Sequence, residues 1–304
     1  MRTGIMLGAT PDPEGSLDKT IAIAKDVERR GFPSLWLAHI RGHDALIAMG
    51  LAARETTSLE VGTAVTPIQP RHPVVLAQQA LTTQAMARGR FTLGVGLSHQ
   101  VVIENMYGLS YAQPAATMAE YLEVLTPLLA GRAVKHTGER HRVDMGLDVP
   151  DAPTPVPLLI AALGPQMLSI AGTHSDGTVL WMTGARTIKE HVVPTITNAA
   201  TQAERPAPRV VAGFPVALTN DVASARETIA QQLQVYGQLP SYRAMLDREG
   251  VAGPADLALV GGENVLADEL DRIAEAGTTD FIAVVMETDP GARERTLAFL
   301  ESRL

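Results

Sequence analysis

Two hydrophobic patterns alternate along this chain and repeat about eight times. Short apolar runs predict buried strands. Between them, apolar residues recur at three- and four-residue spacing, which predicts amphipathic helices. The predicted strands lie at residues 3–7, 34–38, 59–65, 91–95, 158–162, 178–181, 209–218 and 280–285. Strands that alternate with helices in this way form a parallel sheet with helical crossovers.

The segments between the strands follow the helical pattern, with two interruptions. The predicted helices lie at residues 17–30, 44–54, 73–87, 115–129, 187–203, 222–236, 263–275 and 292–300. Residues 101–112 are predicted to form a loop. We expect one domain over residues 1–304, with a β-hairpin insertion at about 131–150 and a helical excursion at about 237–262.

Eight strand–helix units over 304 residues favour a (β/α)8 TIM barrel. The alternative is an open, doubly wound sheet. Against it, no GxGxxG motif follows the first strand to mark a dinucleotide site. In a barrel, the functional site lies where the carboxyl ends of the strands meet.

Composition narrows the functional classes. Hydrophobic residues make up 46% of the chain, and its net charge of −8 argues against nucleic-acid binding. There are no cysteines, which excludes disulfides and thiolate chemistry. The sequence shows neither a signal-peptide pattern nor a membrane-spanning run, so we expect a cytoplasmic protein without membrane contact.

One strand–helix–strand unit, residues 157–181, predicts an anion site. Gly164 permits a tight turn after the strand, and Pro165 suits the first helical position. Gly172 is a plausible end for the helix. The start of such a helix offers free N–H groups and the positive end of its dipole, which suit a phosphate. A scaffold turn without a ligand is an equally open interpretation.

The residues that follow the predicted strands are mostly small. They are Gly8, His39, Ala64, Val65, Thr66, Gly96, Ser98, His99, Leu163, Gly164, Pro165, Met182 and Thr183. This set contains no carboxylate pair, and the chain has no HxH, HExxH, GxSxG or P-loop motif, so we expect no metal site. A mouth lined by glycine and small residues suits a large flat cofactor that carries the chemistry itself.

Several segments resemble the luciferase-like flavoproteins, in particular the branch that uses the deazaflavin coenzyme F420. The segments are ERRGFPSLWLAH (28–39), LEVGTAVTP (59–67), RGRFTLGVGLSH (88–99) and LIAALGPQMLSIAGTHSDG (159–177). Weaker similarity continues into the last third of the chain, including YGQLPSYRAMLD (236–247). The LGVG run is the most characteristic piece.

The resemblance implies roles for specific residues. It places a non-prolyl cis peptide at Ala64–Val65, against the central ring of the cofactor. It also implies a cofactor-binding set of His39, Ala64, Val65, Thr66, Gly96, Leu97, Ser98, His99, Ala162, Leu163, Gly164, Pro165 and Gln166. Within that set, Gly164–Gln166 would hold the phosphate. Arg71 and His72 are candidates for contact with the acidic tail, or are solvated loop residues.

His39 and His99 are the candidate catalytic residues, because histidine titrates near neutral pH and can relay a proton. The alternative is that they only hydrogen-bond the cofactor. Some family members carry an acidic residue before the first histidine, or a glutamate at the position of His99. At the first of these places this chain has His39 followed by Ile40, so proton-transfer roles are not copied from those members.

The resemblance implies an F420-dependent oxidoreductase that transfers a hydride between the deazaflavin and a small organic substrate. One alternative is an FMN-dependent monooxygenase, and another is a non-catalytic F420 carrier or sensor. A further possibility is an unrelated barrel enzyme that acts on phosphorylated substrates. We also expect a homodimer.

Overall fold

The computed structural model describes residues 1–9 and 15–304, and its central feature is a closed ring of parallel strands. The strands are β1 (Arg2–Leu7), β2 (Ser34–Leu37), β3 (Glu60–Thr63), β4 (Thr66–Pro67), β5 (Phe91–Gly96), β6 (Val134–Thr137), β7 (Arg142–Met145), β8 (Leu158–Ala161), β9 (Gly177–Trp181), β10 (Arg209–Leu218), β11 (Leu259–Gly261) and β12 (Asp280–Val285). Among the described residues, eight of them pair in the order β1-β2-β3-β5-β8-β9-β10-β12, and β12 pairs with β1. The predicted (β/α)8 barrel is confirmed, and the open sheet is wrong.

Helices surround the ring. They are α1 (Leu17–Arg29), α2 (Ala45–Arg54), α3 (Pro73–Ala87), α4 (Gln100–Asn105), α5 (Pro114–Leu129), α6 (Pro165–His174), α7 (Ala185–Thr187), α8 (Val193–Gln202), α9 (Val222–Leu233), α10 (Pro240–Glu249), α11 (Glu263–Glu275) and α12 (Ala292–Glu301). A π-helical turn, Ile188–Val192, joins α7 to α8, and 3-10 turns span Gln234–Gln238 and Pro254–Leu257. In the described part of the chain, no helix has the length and apolar character needed to cross a membrane.

The structure differs from the predicted elements at several places. The third strand breaks after Thr63 and resumes as β4, and the predicted loop at 101–112 contains most of α4. The helical excursion ends in β11, which extends the sheet beside β10. Helix α6 continues past Gly172 to His174. A Cβ at Gly172 would lie 2.5 Å from the carbonyl oxygen of Ile196, so this glycine permits close helix packing rather than ending the helix.

Two apolar clusters organise the core. One fills the shell between the strands and the surrounding helices. The other, here called the interior cluster, fills the barrel and includes Met6, Trp36, Ala38, Ala64, Leu159, Val179, Trp181, Met182, Val211, Ile282, Val284 and Met286. Residues of α9, α10 and the turn before β11 belong to the same cluster, namely Ala225, Ile229, Leu233, Leu246 and Leu257. The excursion therefore packs onto the interior of the barrel.

Charged residues at the first positions of four strands join the amino-terminal end of the barrel. Arg209 of β10 pairs with Glu60 of β3 at 2.9 Å and with Asp280 of β12 at 2.8 Å. Arg2 of β1 reaches the same two carboxylates at 2.7 and 3.2 Å. Each buried charge has an opposite partner, which offsets the cost of its desolvation. Ion pairs therefore hold this end of the barrel, and the predicted site residues lie at the opposite end.

Candidate functional site

The barrel brings the predicted site residues together at its carboxyl end. His39 follows β2, Ala64–Thr66 follow β3, Leu97–His99 follow β5, and Ala162–Gln166 follow β8. Because neighbouring strands are parallel, these loops share one end of the ring. Ala64, Thr66, Gly96 and Ala162 are buried, Pro165 and Gln166 are exposed, and the other predicted residues are half-buried.

Glycine makes room for the segment that links β3 to β4. The peptide between Ala64 and Val65 is cis, in agreement with the resemblance. A Cβ at Gly94 would lie 2.0 Å from the carbonyl oxygen of Thr63, and one at Gly96 would lie 2.7 Å from Cγ2 of Val65. The Thr63 hydroxyl also donates to the carbonyl of Gly94 at 2.8 Å and accepts from its N–H at 2.9 Å. The glycines of the LGVG run thus let this segment approach β5 closely.

His39 is held between a backbone N–H and a guanidinium. Its Nδ1 accepts a hydrogen bond from the N–H of Ala45 at 3.1 Å. The Nη2 atom of Arg71 lies 2.9 Å from Nε2 of His39 and 3.1 Å from Oδ2 of Asp44. Burial and the Arg71 cation lower the pKa of His39, while Asp44 opposes them. His39 is therefore an uncharged imidazole near neutral pH.

Arg71 is engaged within the chain. Its guanidinium pairs with Asp44, and its backbone carbonyl accepts a hydrogen bond from the Tyr121 hydroxyl at 3.1 Å. Asp44 in turn caps α2 by accepting from the N–H groups of Leu46 and Ile47. These contacts fix Arg71 beside His39. Contact of Arg71 and His72 with an acidic tail stays a prediction.

A row of aromatic rings crosses the carboxyl end of the barrel. The ring centroids of His99 and Tyr242 are 5.5 Å apart, those of Tyr242 and Tyr236 are 5.4 Å apart, and those of Tyr236 and Trp181 are 6.1 Å apart. The pKa of His99 is lowered by burial. Since Tyr236 lies in the 3-10 turn Gln234–Gln238 and Tyr242 in α10, the row connects these two segments to the ends of β5 and β9.

Two non-glycine residues near the carboxyl ends of strands have left-handed backbone conformations. Ser98 has a φ of 56°, and Met182 has a φ of 47°. Such conformations cost about 1–3 kcal/mol each and are concentrated at functional sites. Their positions, one after β5 and one directly after β9, agree with a functional role for this end of the barrel.

The start of α6 has the free groups that an anion needs. Gly164 occupies the cap position, and within the described residues no side chain caps this end. A Cβ built on Gly164 meets no described atom within 4 Å. His191 donates from Nε2 to the Leu163 carbonyl at 2.8 Å and fixes the preceding turn, because a carbonyl can only accept.

Three buried polar atoms at this end lack partners among the described residues. They are Oγ1 of Thr66, Oε1 of Gln69 and Nε1 of Trp181. The amide nitrogen of Gln69 donates to the Leu97 carbonyl at 2.7 Å, so only its oxygen is unpaired. A buried polar group without a hydrogen bond costs about 1–3 kcal/mol, and such groups are rare in folded proteins. Their grouping around one mouth indicates a site for a ligand.

Comparison with known proteins assigns the chain to a family. The family model described as luciferase-like monooxygenase matches residues 1–283. The chain therefore belongs to the luciferase-like monooxygenase family. The 5,10-methylenetetrahydromethanopterin reductase of Methanolobus tindarius is 28% identical over 252 residues, which cover 82% of this chain and 76% of that protein.

Solved structures share the fold. An F420-dependent secondary alcohol dehydrogenase, determined in complex with an F420-acetone adduct, has a TM-score of 0.82 at 18% identity, with 100% of this chain and 98% of that chain covered. The monooxygenase RslO1 from Streptomyces bottropensis has a TM-score of 0.80 at 18% identity, with the same coverage. At these identities the similarity concerns the architecture of the barrel.

Sequence reasoning missed several residues of this site. Asp44 was visible only as the first residue of the predicted helix 44–54, although it also pairs with Arg71 beside His39. Gln69 carried no motif, Tyr242 was visible only as part of the weakly similar segment 236–247, and Trp181 fits the hydrophobic pattern of a core strand. The sequence did mark the excursion that carries Tyr242 as a break in the strand–helix alternation.

Proposed function

We propose that the chain is a coenzyme F420-dependent oxidoreductase, which transfers a hydride between the deazaflavin and a small organic substrate. It is an oxidoreductase of the luciferase-like family. One observation favours a flat cofactor that carries a phosphate: the open start of α6 lies at the same end of the barrel as the carboxyl end of the glycine-rich strand β5. Similar proteins are named as F420-dependent enzymes, among them the secondary alcohol dehydrogenase above, and these names support the deazaflavin in particular.

The residues present fit such a cofactor. The uncapped start of α6, with open space at Gly164, suits its phosphate. The unpaired oxygens of Thr66 and Gln69 match the polar edge of a ring system, and Val65 and Leu97 provide apolar contact beside them. We assign the cofactor to these residues together with His39, Gly96, Ser98, His99 and 162–166. FMN has comparable phosphate and ring groups and is the second candidate.

When bound, F420 supplies the hydride chemistry. The chain supplies orientation, a water-poor cavity and a proton path. His39 is uncharged near neutral pH, and because the Ala45 N–H occupies Nδ1, we assign the exchange of a proton with an alcohol or carbonyl oxygen to Nε2. His99 is also kept neutral by burial and is the second candidate for this role. The excursion excludes water by packing its aromatic residues over the mouth.

The deciding experiment is a parallel titration of the purified protein with oxidised F420 and with FMN, followed by quenching of tryptophan fluorescence. Selective micromolar binding of F420 supports the proposal. Preference for FMN, followed by oxygen consumption with reduced FMN, favours a monooxygenase. Tight F420 binding without hydride exchange over a broad substrate panel favours a carrier, and binding of neither cofactor refutes the assignment.

Substitutions at Gly164 provide matched controls. Gly164→Asp places a carboxylate at the helix cap, where aspartate stabilises helices, but it occupies the N–H groups that a phosphate needs. Gly164→Ala adds only a methyl group in open space. We expect the aspartate variant to fold normally and lose cofactor affinity, whereas the alanine variant binds. Equal affinity in both variants would place the phosphate elsewhere.

The role of His39 is tested separately. We expect His39→Ala to lower turnover more than cofactor affinity, because a proton relay acts in the reaction rather than in binding. Unchanged turnover with an accepted substrate would exclude a relay.

We also propose a homodimer, on the strength of family membership. Light scattering tests this state, and a monomer at micromolar concentration would refute it.

A further inference from the structure

The two tryptophans of the chain differ in how their indole N–H groups are used. Trp36 is buried, and its Nε1 donates to the hydroxyl of Ser34 at 3.0 Å. Trp181 is also buried, with 9% of its surface exposed, yet its Nε1 has no partner in the described part of the chain. Because an unpaired buried donor costs free energy, packing alone does not explain why this position carries an indole.

Trp181 lies in the candidate site. It is the last residue of β9, directly before the left-handed Met182, and it belongs to the interior cluster together with Ala64. Gly213 stands beside it in the register of β10, and a Cβ there would lie 3.0 Å from Cε3 of the indole. The absence of a side chain at Gly213 makes room for this ring.

The surroundings of the indole select the chemistry of its partner. The N–H group is an uncharged donor that cannot accept a hydrogen bond. Trp181 belongs to the apolar interior cluster together with Met182 and Met286, and its ring pairs with that of Tyr236. Burying a charged group among them would cost far more than burying a neutral oxygen. The matching ligand group is therefore the oxygen of a ketone, an aldehyde or an alcohol.

We propose that Trp181 is a substrate-binding residue, whose indole N–H donates to a neutral carbonyl or hydroxyl oxygen, and that the substrate is an uncharged, mainly apolar compound. The assignment of this ligand as the substrate rests on the proposed oxidoreductase function. Tyr236 packs against the indole from the 3-10 turn Gln234–Gln238. Because Nε1 is buried, a neighbouring side chain has to move when the oxygen binds, and we assign this movement to Tyr236.

The test uses the unmodified protein and needs no cofactor. A sample labelled with ¹⁵N-tryptophan gives two indole signals, because the chain contains two tryptophans. The ligands are cyclohexanone and methylenecyclohexane, which have similar shapes but differ in the acceptor oxygen. We expect cyclohexanone to shift the Trp181 proton downfield and leave the Trp36 signal, already bonded to Ser34, unchanged. No shift, or the same shift with methylenecyclohexane, would refute the proposal.

A pair of variants separates hydrogen bonding from packing. Trp181→Phe keeps an aromatic ring but removes the N–H donor. Tyr236→Phe is the control, since it keeps both the indole donor and the ring that packs on the indole. We expect Trp181→Phe to weaken binding of cyclohexanone about 2- to 13-fold, the worth of one neutral hydrogen bond, and to leave methylenecyclohexane binding unchanged. Equal weakening of both ligands would mean that the indole only packs. Failure of F420 to bind would refute the proposed function without altering these results.

Discussion

Gly94 provides the sharpest test of how this site is built. A Cβ at this position would lie 2.0 Å from the backbone carbonyl oxygen of Thr63 and 3.1 Å from Cγ1 of Val65. Backbone atoms cannot turn aside as a flexible side chain can, so Gly94→Ala must push β3 and β5 apart. We therefore expect a loss of stability together with displacement of the segment that carries Val65.

The size of the loss follows from two contributions. Overpacking of a well-filled core costs about 1–3 kcal/mol. Separating the strands also weakens the two hydrogen bonds between the Thr63 side chain and the Gly94 backbone, each worth about 0.5–1.5 kcal/mol. We expect the free energy of unfolding to fall by about 2–6 kcal/mol in total, the upper end applying if both hydrogen bonds are lost.

Urea denaturation measures this change, with Gly164→Ala as the matched control. The control adds the same methyl group where no described atom lies within 4 Å, so its free energy of unfolding should change by less than about 0.5 kcal/mol. If the two variants were equally stable, close approach of Thr63 to Gly94 would not explain the glycine, and this account of the LGVG run would be wrong.

Further predictions concern the neutral histidines. Arg71→Met removes a cation whose Nη2 lies 2.9 Å from Nε2 of His39, so the pKa of His39 should rise in an NMR titration of its ring protons. Asp44→Asn keeps a helix cap but removes the opposing anion, so the same titration should show a lower pKa; a change in the other direction in either variant would contradict the described contacts. Burial lowers the pKa values of His39 and His99 below the usual 6.5. Because the fold favours the neutral rings, the two histidines make their full contribution to the free energy of unfolding above pH 6.5. This contribution is lost as the pH falls through their folded-state pKa values. Urea denaturation between pH 7.5 and 5 should show this loss, and replacing both histidines with glutamine should reduce it; an identical pH profile in that variant would exclude the two rings as its source.

Local signals predicted much of the barrel and the position of its site. The strands at 209–218 and 280–285 and the helices at 73–87 and 263–275 have the predicted bounds, because burial of a strand or a helix face imposes a short-range repeat on the sequence. The chain topology then placed the candidate residues, since parallel strands share their carboxyl ends. The open start of α6 was visible in the same way, from Gly164 and Pro165.

What the sequence determined by itself is therefore the alternation of strands and helices, the closed barrel, and the end of it where the candidate site lies. Only the tertiary structure decided which polar atoms are already satisfied there. Trp36 and Trp181 fit the same strand pattern, yet one indole meets Ser34 and the other has no partner among the described residues. The tertiary structure alone likewise decided that Arg71 lies between His39 and Asp44. Hydrogen bonding and charge depend on distances between side chains that are remote in the chain, and a periodic pattern carries no information about those distances.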